Sequence, residues 1–144
     1  MAARQGARSF GPMTRTPPLV LATFALVTAY VIGGVIAVLT DIAGVSDVLS
    51  NGTKTSAPLF MLVIEPLAAY AFLRGKRAGA AVLAALTGLS TVAFAFDGDF
   101  NDDALGPGHV AWQLLEGWLA LVVFSLAVTA LIRTRRRPAA AAGA

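Results

Sequence analysis

Four long runs of apolar residues, separated by short polar segments, dominate the sequence. They cover about residues 18–39, 57–73, 78–96 and 110–132. An α-helix needs roughly 20 residues, within a range of about 17–25, to cross the hydrocarbon core of a bilayer. Because lipid offers the backbone no hydrogen-bonding partner, each run is expected to be helical. The pattern predicts an all-α integral membrane protein, with one domain at 18–132 that is a bundle of four transmembrane helices.

The amino-acid composition agrees with this pattern and excludes several kinds of metal and catalytic site. Hydrophobic residues make up 57% of the chain and charged residues 13%, and the mean hydropathy is +0.74, whereas a soluble domain carries about 25% charged residues. The absence of cysteine excludes thiolate metal sites and cysteine nucleophiles. A single histidine, His109, excludes a two-histidine zinc motif. We therefore expect no metal, no cofactor and no enzymatic activity.

The charged residues lie between the apolar runs and predict the orientation. Ten of the 11 basic residues fall in the N-terminal segment 1–17, in the hairpin 74–77 or in the tail 133–144, whereas the other two loops are acidic. The positive-inside rule then places both termini, and the short hairpin between the second and third helices, in the cytoplasm. The bilayer is the expected partner, in the plasma or inner membrane of a bacterium, and nucleic acid is not. We expect 1–17 to be disordered and the Ala-rich tail to be irregular from Pro138.

Small residues recur at helical spacing in two of the runs and predict how the helices pack. The first run carries Ala25, Ala29, Gly33 and Ala37, and the third carries Ala80, Ala84 and Gly88. Such ridges allow close backbone approach in a membrane, so they are expected to face the bundle interior or each other. In the first outer loop, apolar residues at 42, 45, 48 and 49 predict a short interfacial helix.

Two acidic residues, Glu65 and Glu116, lie inside the apolar runs, where an ionisable group costs about 2.5–3.5 kcal/mol or more. The runs contain no lysine or arginine to pair with them. Pro66 follows Glu65 and removes a helical hydrogen bond at the Leu62 carbonyl, which favours a polar pocket. The alternative is a structural role, in which Glu65 is a neutral acid bonded to a neighbouring tyrosine or threonine.

The fourth run places His109, Gln113 and Glu116 at i, i+4 and i+7, on one helix face. Ala120 and Ala127 continue that face inward. The pattern is typical of a water-filled vestibule wall, or of a helix end whose polar residues reach the headgroups. Tyr30 is expected at intermediate depth, within hydrogen-bonding reach of either acid. The candidate intramembrane polar site therefore comprises Glu65, Glu116, Gln113, His109 and Tyr30.

The outer segment from Asp97 to Asp103 begins like a calcium-binding loop but departs from that pattern at its sixth and twelfth positions. A solvated acidic loop is favoured.

Two functions fit the sequence. The favoured hypothesis is a non-catalytic subunit or accessory protein that contacts other membrane proteins, or further copies of itself, through its helix faces. The alternative is a small oligomeric proton- or cation-coupled transporter or channel that uses Glu65 and Glu116. The two hypotheses differ in whether both acids belong to one shared site.

Overall fold

The computed structural model describes residues 17–50, 52–53, 55–96 and 106–141, with side chains for 108–134 of the last range. Five helices follow one another in the order α1 (Pro18–Leu39), α2 (Val45–Ser50), α3 (Leu59–Leu73), α4 (Arg77–Phe96) and α5 (Gly106–Ala141). Within the described ranges, the β-structure is a single bridge between Thr53 and Ser56. The predicted all-α class is confirmed.

Three helices are long and apolar enough to cross a membrane, namely α1, α4 and the stretch Gly108–Thr134 of α5. The predicted spans 18–39 and 78–96 agree with α1 and α4, and α2 confirms the predicted short helix in the first outer loop. The second apolar run forms α3, which has only 15 residues and falls below the length of a full span. The described residues therefore form a helical protein of the membrane type, with three helices long and apolar enough to span a bilayer and one shorter apolar helix.

The last helix is longer than the sequence pattern suggested. It continues past residue 132 to Ala141, through the basic segment and Pro138, so the expectation of an irregular tail from Pro138 is wrong for residues up to 141. Alanine and arginine are both strong helix formers, and they carry the helix beyond the apolar stretch. The N-terminal residues 1–16, for which we expected disorder, lie outside the described residues.

The bounds of α1 follow from its local sequence. Pro17 and Pro18 open the helix, and Pro18 occupies a position whose N–H would have no helical partner. At the other end Asp41 adopts a φ of 55°, and the N–H groups of Ile42 and Ala43 both donate to the carbonyl of Ala37. This left-handed residue reverses the chain and directs it into α2.

The four apolar helices form a ring. Helix α1 packs on α3 and α5, and α4 also packs on α3 and α5, so that α1 and α4 occupy diagonal positions. The core contains large aliphatic side chains such as Leu26, Leu83 and Val123, all fully buried. Large apolar side chains also cover the outer faces, for example Leu67 and Leu89, as expected where lipid replaces water as the solvent.

The small-residue ridges are confirmed as parts of the interior but not as partners of each other. On α1, Ala29, Gly33 and Ala37 are buried, whereas Ala25 is exposed. On α4, Gly88 faces the ring of Phe124 on α5. The alternative, in which the ridges face each other, is wrong, because α1 and α4 lie diagonally and each packs on α3 and α5 instead.

Candidate functional site: a buried carboxylate cluster

The segment between α2 and α3 turns back into the bundle before α3 begins. Thr53 and Ser56 exchange backbone hydrogen bonds of 2.9 and 3.2 Å, which close a tight turn. Beyond this turn Thr55, Ser56 and Ala57 are only 2, 6 and 7% exposed. Non-helical backbone is tolerated at membrane depth only where protein surrounds it. The short α3 is thus extended at its N-terminal end by a buried, non-helical segment.

Gly33 on α1 packs against this buried segment. The hydroxyl of Thr55 donates to the Gly33 carbonyl at 3.2 Å, and a Cβ on Gly33 would overlap the carbonyl oxygen of Thr55. The same Cβ would lie 2.7 Å from both Glu116 Oε1 and Trp112 Nε1. Only glycine leaves room at this position for the Thr55 carbonyl, the Glu116 carboxylate and the Trp112 indole. The small-residue ridge of α1 therefore lets these polar groups pack inside the bundle.

Glu116 occupies the α5 side of this contact. It is 7% exposed, and its Oε1 accepts a hydrogen bond of 2.8 Å from the indole N–H of Trp112, one helical turn away. Trp112 is not among the candidate residues predicted from the sequence. The i, i+4 spacing of the two residues on one helix was the available signal.

Glu65 on α3 is the most unusual group in the bundle. Its side chain is fully buried, and within the described part of the chain neither carboxylate oxygen has a hydrogen-bond partner. The alternative in which a tyrosine or threonine satisfies Glu65 is therefore wrong for those residues. A buried polar group without a partner costs about 1–3 kcal/mol, and more when it is charged. Glu65 is either protonated, or bound to a cation or water when ionised.

Tyr30 connects the two acids. It lies on α1, one turn before Gly33, and is 6% exposed. Its side chain interacts electrostatically with both Glu65 and Glu116 and is within hydrogen-bonding reach of Ser90 on α4. Since Ser90 donates its own hydrogen to the carbonyl of Leu86 at 3.0 Å, its oxygen is free to accept from the Tyr30 hydroxyl. The charges of an acid on α3 and an acid on α5 therefore both act on this tyrosine of α1.

The other two candidate residues lie nearer the N-terminal end of α5. Gln113 is buried at 6% exposure, on the same inward face as Glu116, Ala120 and Ala127, which confirms the predicted face. His109 is partly exposed, and its Nε2 is buried without a hydrogen-bond partner among the described residues. No contact joins Gln113 or His109 to the carboxylate cluster among the interactions described above. The cluster therefore comprises Tyr30, Glu65 and Glu116.

Basic residues are absent from the cluster of Tyr30, Glu65 and Glu116. Among the described residues, Arg74, Lys76 and Arg77 lie at the α3–α4 hairpin and Arg133 near the end of α5. None lies within the apolar stretch of a helix. The acidic segment 97–103, considered above for calcium, lies outside the described residues.

A cavity of about 350 Å³ adjoins the cluster. It lies between α1, α2 and the start of α3, and its walls are almost entirely aliphatic, apart from Tyr30 and Ser56. Tyr30 therefore borders both the apolar cavity and the two carboxyl groups.

Comparison with protein families, with characterised proteins and with solved structures finds no match to this chain.

Proposed function

We propose that the chain is a small proton- or cation-coupled membrane transporter, acting singly or as a homo-oligomer, whose ion site is the cluster of Glu65, Tyr30 and Glu116. The observation that carries the proposal is the full burial of Glu65, whose two carboxylate oxygens have no hydrogen-bond partner among the residues that the structure describes. An ionisable residue at membrane depth marks ion pathways and proton relays more often than it serves packing.

The second carboxyl group strengthens this assignment. Glu65 and Glu116 lie on different helices and share Tyr30 as a neighbour. Each acid is buried in the apolar interior, where a bound proton or cation avoids the cost of a bare carboxylate.

The proposed topology has four spans, with both termini and the α3–α4 hairpin in the cytoplasm of the cell that carries the protein in its plasma or inner membrane. The basic residues of the hairpin and of the α5 end support this orientation. The 15 residues of α3 provide about 22 Å of helix. The buried segment 55–57 supplies the rest of the crossing.

Single cysteines test this topology, because the chain has none of its own. Ser50→Cys is expected to react with a membrane-impermeant maleimide in intact cells, and Gly75→Cys only after the membrane is permeabilised. Both positions are exposed, so access decides the labelling. Labelling of Gly75→Cys in intact cells would contradict the orientation.

The transport proposal is tested in proteoliposomes that contain a pH-sensitive dye. An outward gradient of K⁺, Na⁺ or tetramethylammonium is expected to drive counter-movement of protons through the wild-type protein. Glu65→Gln is expected to reduce this flux to the level of protein-free liposomes, because the amide keeps the size of the side chain but cannot exchange a proton. Glu116→Gln is expected to lower the flux as well, since both acids serve one site.

Ser125→Ala serves as the matched control. Ser125 is an exposed polar residue on α5 that bonds only its own helix, at the Leu121 carbonyl, and its removal should leave the flux unchanged. Equal flux in wild type and Glu65→Gln, or no flux above protein-free liposomes for any of the cations, would overturn the proposal.

A second candidate is a non-catalytic accessory protein that binds other membrane proteins. It is favoured by the outward face of α4, where Ala81 and Ala85 are exposed four residues apart. This spacing of small residues allows a second helix to approach closely. Under this proposal Glu65 and Glu116 bind no ion, and Glu65→Gln leaves the function of the protein unchanged.

A further inference from the structure

We infer that an anionic phospholipid binds along the outward face of α3, with its phosphate at Arg74 and an acyl chain on the apolar residues of the preceding turns. This site lies at the hairpin end of the bundle, apart from the carboxylate cluster, and does not depend on the proposed transport. The observation behind it is that Tyr70 holds the guanidinium of Arg74 at the end of an exposed apolar stripe.

The turn after α3 places two basic residues at the end of this helix. Gly75 adopts a φ of 75°. Its N–H donates to the carbonyl of Phe72 at 2.9 Å, and the N–H of Lys76 donates to that of Ala71 at 3.0 Å. These two bonds form the Schellman pattern, in which a glycine in the left-handed region ends a helix. Arg74 and Lys76 therefore flank one tight turn, and both are exposed.

Tyr70 fixes the direction of the Arg74 side chain. Nε and Nη2 of Arg74 donate to the Tyr70 hydroxyl at 2.9 and 2.5 Å, and Cζ lies 5.1 Å from the centre of the tyrosine ring. A guanidinium has five N–H donors in a planar fork that matches a phosphate. The donors that Tyr70 does not use have no acceptor among the described residues. A side chain that is already held loses less conformational entropy when an anion binds.

The hairpin end of α3 has no acidic neighbour in the described ranges. The acids of those ranges precede α3 or are buried in the bundle: Asp41, Asp47, Glu65 and Glu116. Arg74 and Lys76 therefore have no carboxylate to pair with. In a membrane, the anions next to the end of a spanning helix are the phosphates of lipid headgroups, which basic residues at such ends attract.

The residues before Arg74 offer an apolar surface to the lipid tail. Val63, Leu67 and Tyr70 are 50, 61 and 52% exposed. With Arg74 they occupy positions i, i+4, i+7 and i+11, so all four share one face of α3. The helix rises about 16 Å from Val63 to Arg74, and one leaflet of hydrocarbon is about 15 Å thick. An acyl chain therefore fits along this stripe while the phosphate contacts the guanidinium.

The net charge of the headgroup decides which phospholipid is retained. Phosphatidylcholine carries a cationic group beside its phosphate, and this group would be repelled by Arg74 and Lys76. Phosphatidylglycerol carries only the negative charge, so both basic residues attract it. The site therefore prefers the anionic lipid.

A fluorophore at the far end of the stripe tests the inference. The chain has no cysteine, so Val63→Cys is labelled with bimane and the protein is reconstituted in phosphatidylcholine bilayers. Quenching by phosphatidylglycerol with brominated chains is compared with quenching by phosphatidylcholine with the same brominated chains. We expect the anionic lipid to be favoured about tenfold, and Arg74→Gln to lower this preference about fivefold.

Tyr70→Phe separates a built site from general attraction between charges. It keeps every charge and removes only the hydroxyl that holds Arg74, so we expect the preference to fall about twofold. Arg133→Gln is the matched control. It removes the same charge from the same end of the bundle, next to the Leu131 carbonyl that Arg77 contacts. It does so on α5, which packs on α1 and α4, so the preference should be unchanged.

Four results would overturn the inference. They are equal quenching by the two lipids, an unchanged preference in Arg74→Gln or Tyr70→Phe, the same loss in Arg133→Gln as in Arg74→Gln, and relief of the quenching by added glycerol phosphate. The last result would mean that the site takes a soluble phosphate compound and not a lipid.

Discussion

Gly33→Ala is expected to destabilise the folded protein by about 3 kcal/mol, the upper part of the usual range for overpacking. The added Cβ would overlap the carbonyl oxygen of Thr55 and would lie 2.7 Å from Glu116 Oε1 and Trp112 Nε1. The overlapping atom belongs to the backbone of a buried segment, which cannot rotate away as a side chain can. The measurement is unfolding in mixed micelles with an increasing fraction of denaturing detergent.

Gly88→Ala is the matched control for this prediction. There the new Cβ would lie 3.0 and 3.2 Å from two ring atoms of Phe124, and the end of a side chain can shift by a few tenths of an ångström. We expect it to cost less than about 1 kcal/mol. Equal destabilisation by the two substitutions would mean that the segment 55–57 does not pack on Gly33 as described.

Glu65→Met is expected to stabilise the folded protein by about 1–3 kcal/mol, because it removes a buried group whose oxygens have no partner. Methionine is a flexible apolar side chain that adapts to the space left by the glutamate. The same substitution should abolish proton flux. Such opposite changes in stability and activity are expected of a functional residue that strains its surroundings.

Glu116→Met supplies the comparison on α5. Glu116 accepts the hydrogen bond of Trp112, so its loss leaves the indole N–H without that acceptor, and we expect no stabilisation. Both variants are measured in the same detergent unfolding assay. If Glu65→Met also fails to stabilise the protein, Glu65 has a structural partner in the membrane. That result would count against its assignment as an ion site.

The helices and the inward face of α5 follow from local sequence patterns. Apolar runs set the extent of α1 and α4 because lipid forces the backbone to be helical. The spacing of Gln113, Glu116, Ala120 and Ala127 fixed their common face, since residues three and four apart share one side of a helix.

What the sequence did not predict depends on long-range contacts. The re-entry of Thr55 at Gly33 joins residues 22 positions apart, and no local pattern encodes it. The start of α3 at Leu59 has a local cause, because Pro58 caps the helix and disfavours helical geometry at the residue before it. The ring order of the helices, which separates the ridges of α1 and α4, likewise depends on which faces fit together, and composition does not determine that fit.

The central claim is that Glu65 binds and releases a proton or a cation, rather than remaining a permanently neutral buried acid. Infrared difference spectroscopy on the protein in bilayers, with the perfusing buffer stepped between acidic and alkaline pH, tests it most directly. The account predicts a reversible carboxyl C=O difference band in wild type that loses one component in Glu65→Gln and keeps all its components in Ser125→Ala. Identical difference spectra for wild type and Glu65→Gln would contradict it, because they would show that Glu65 does not exchange its proton.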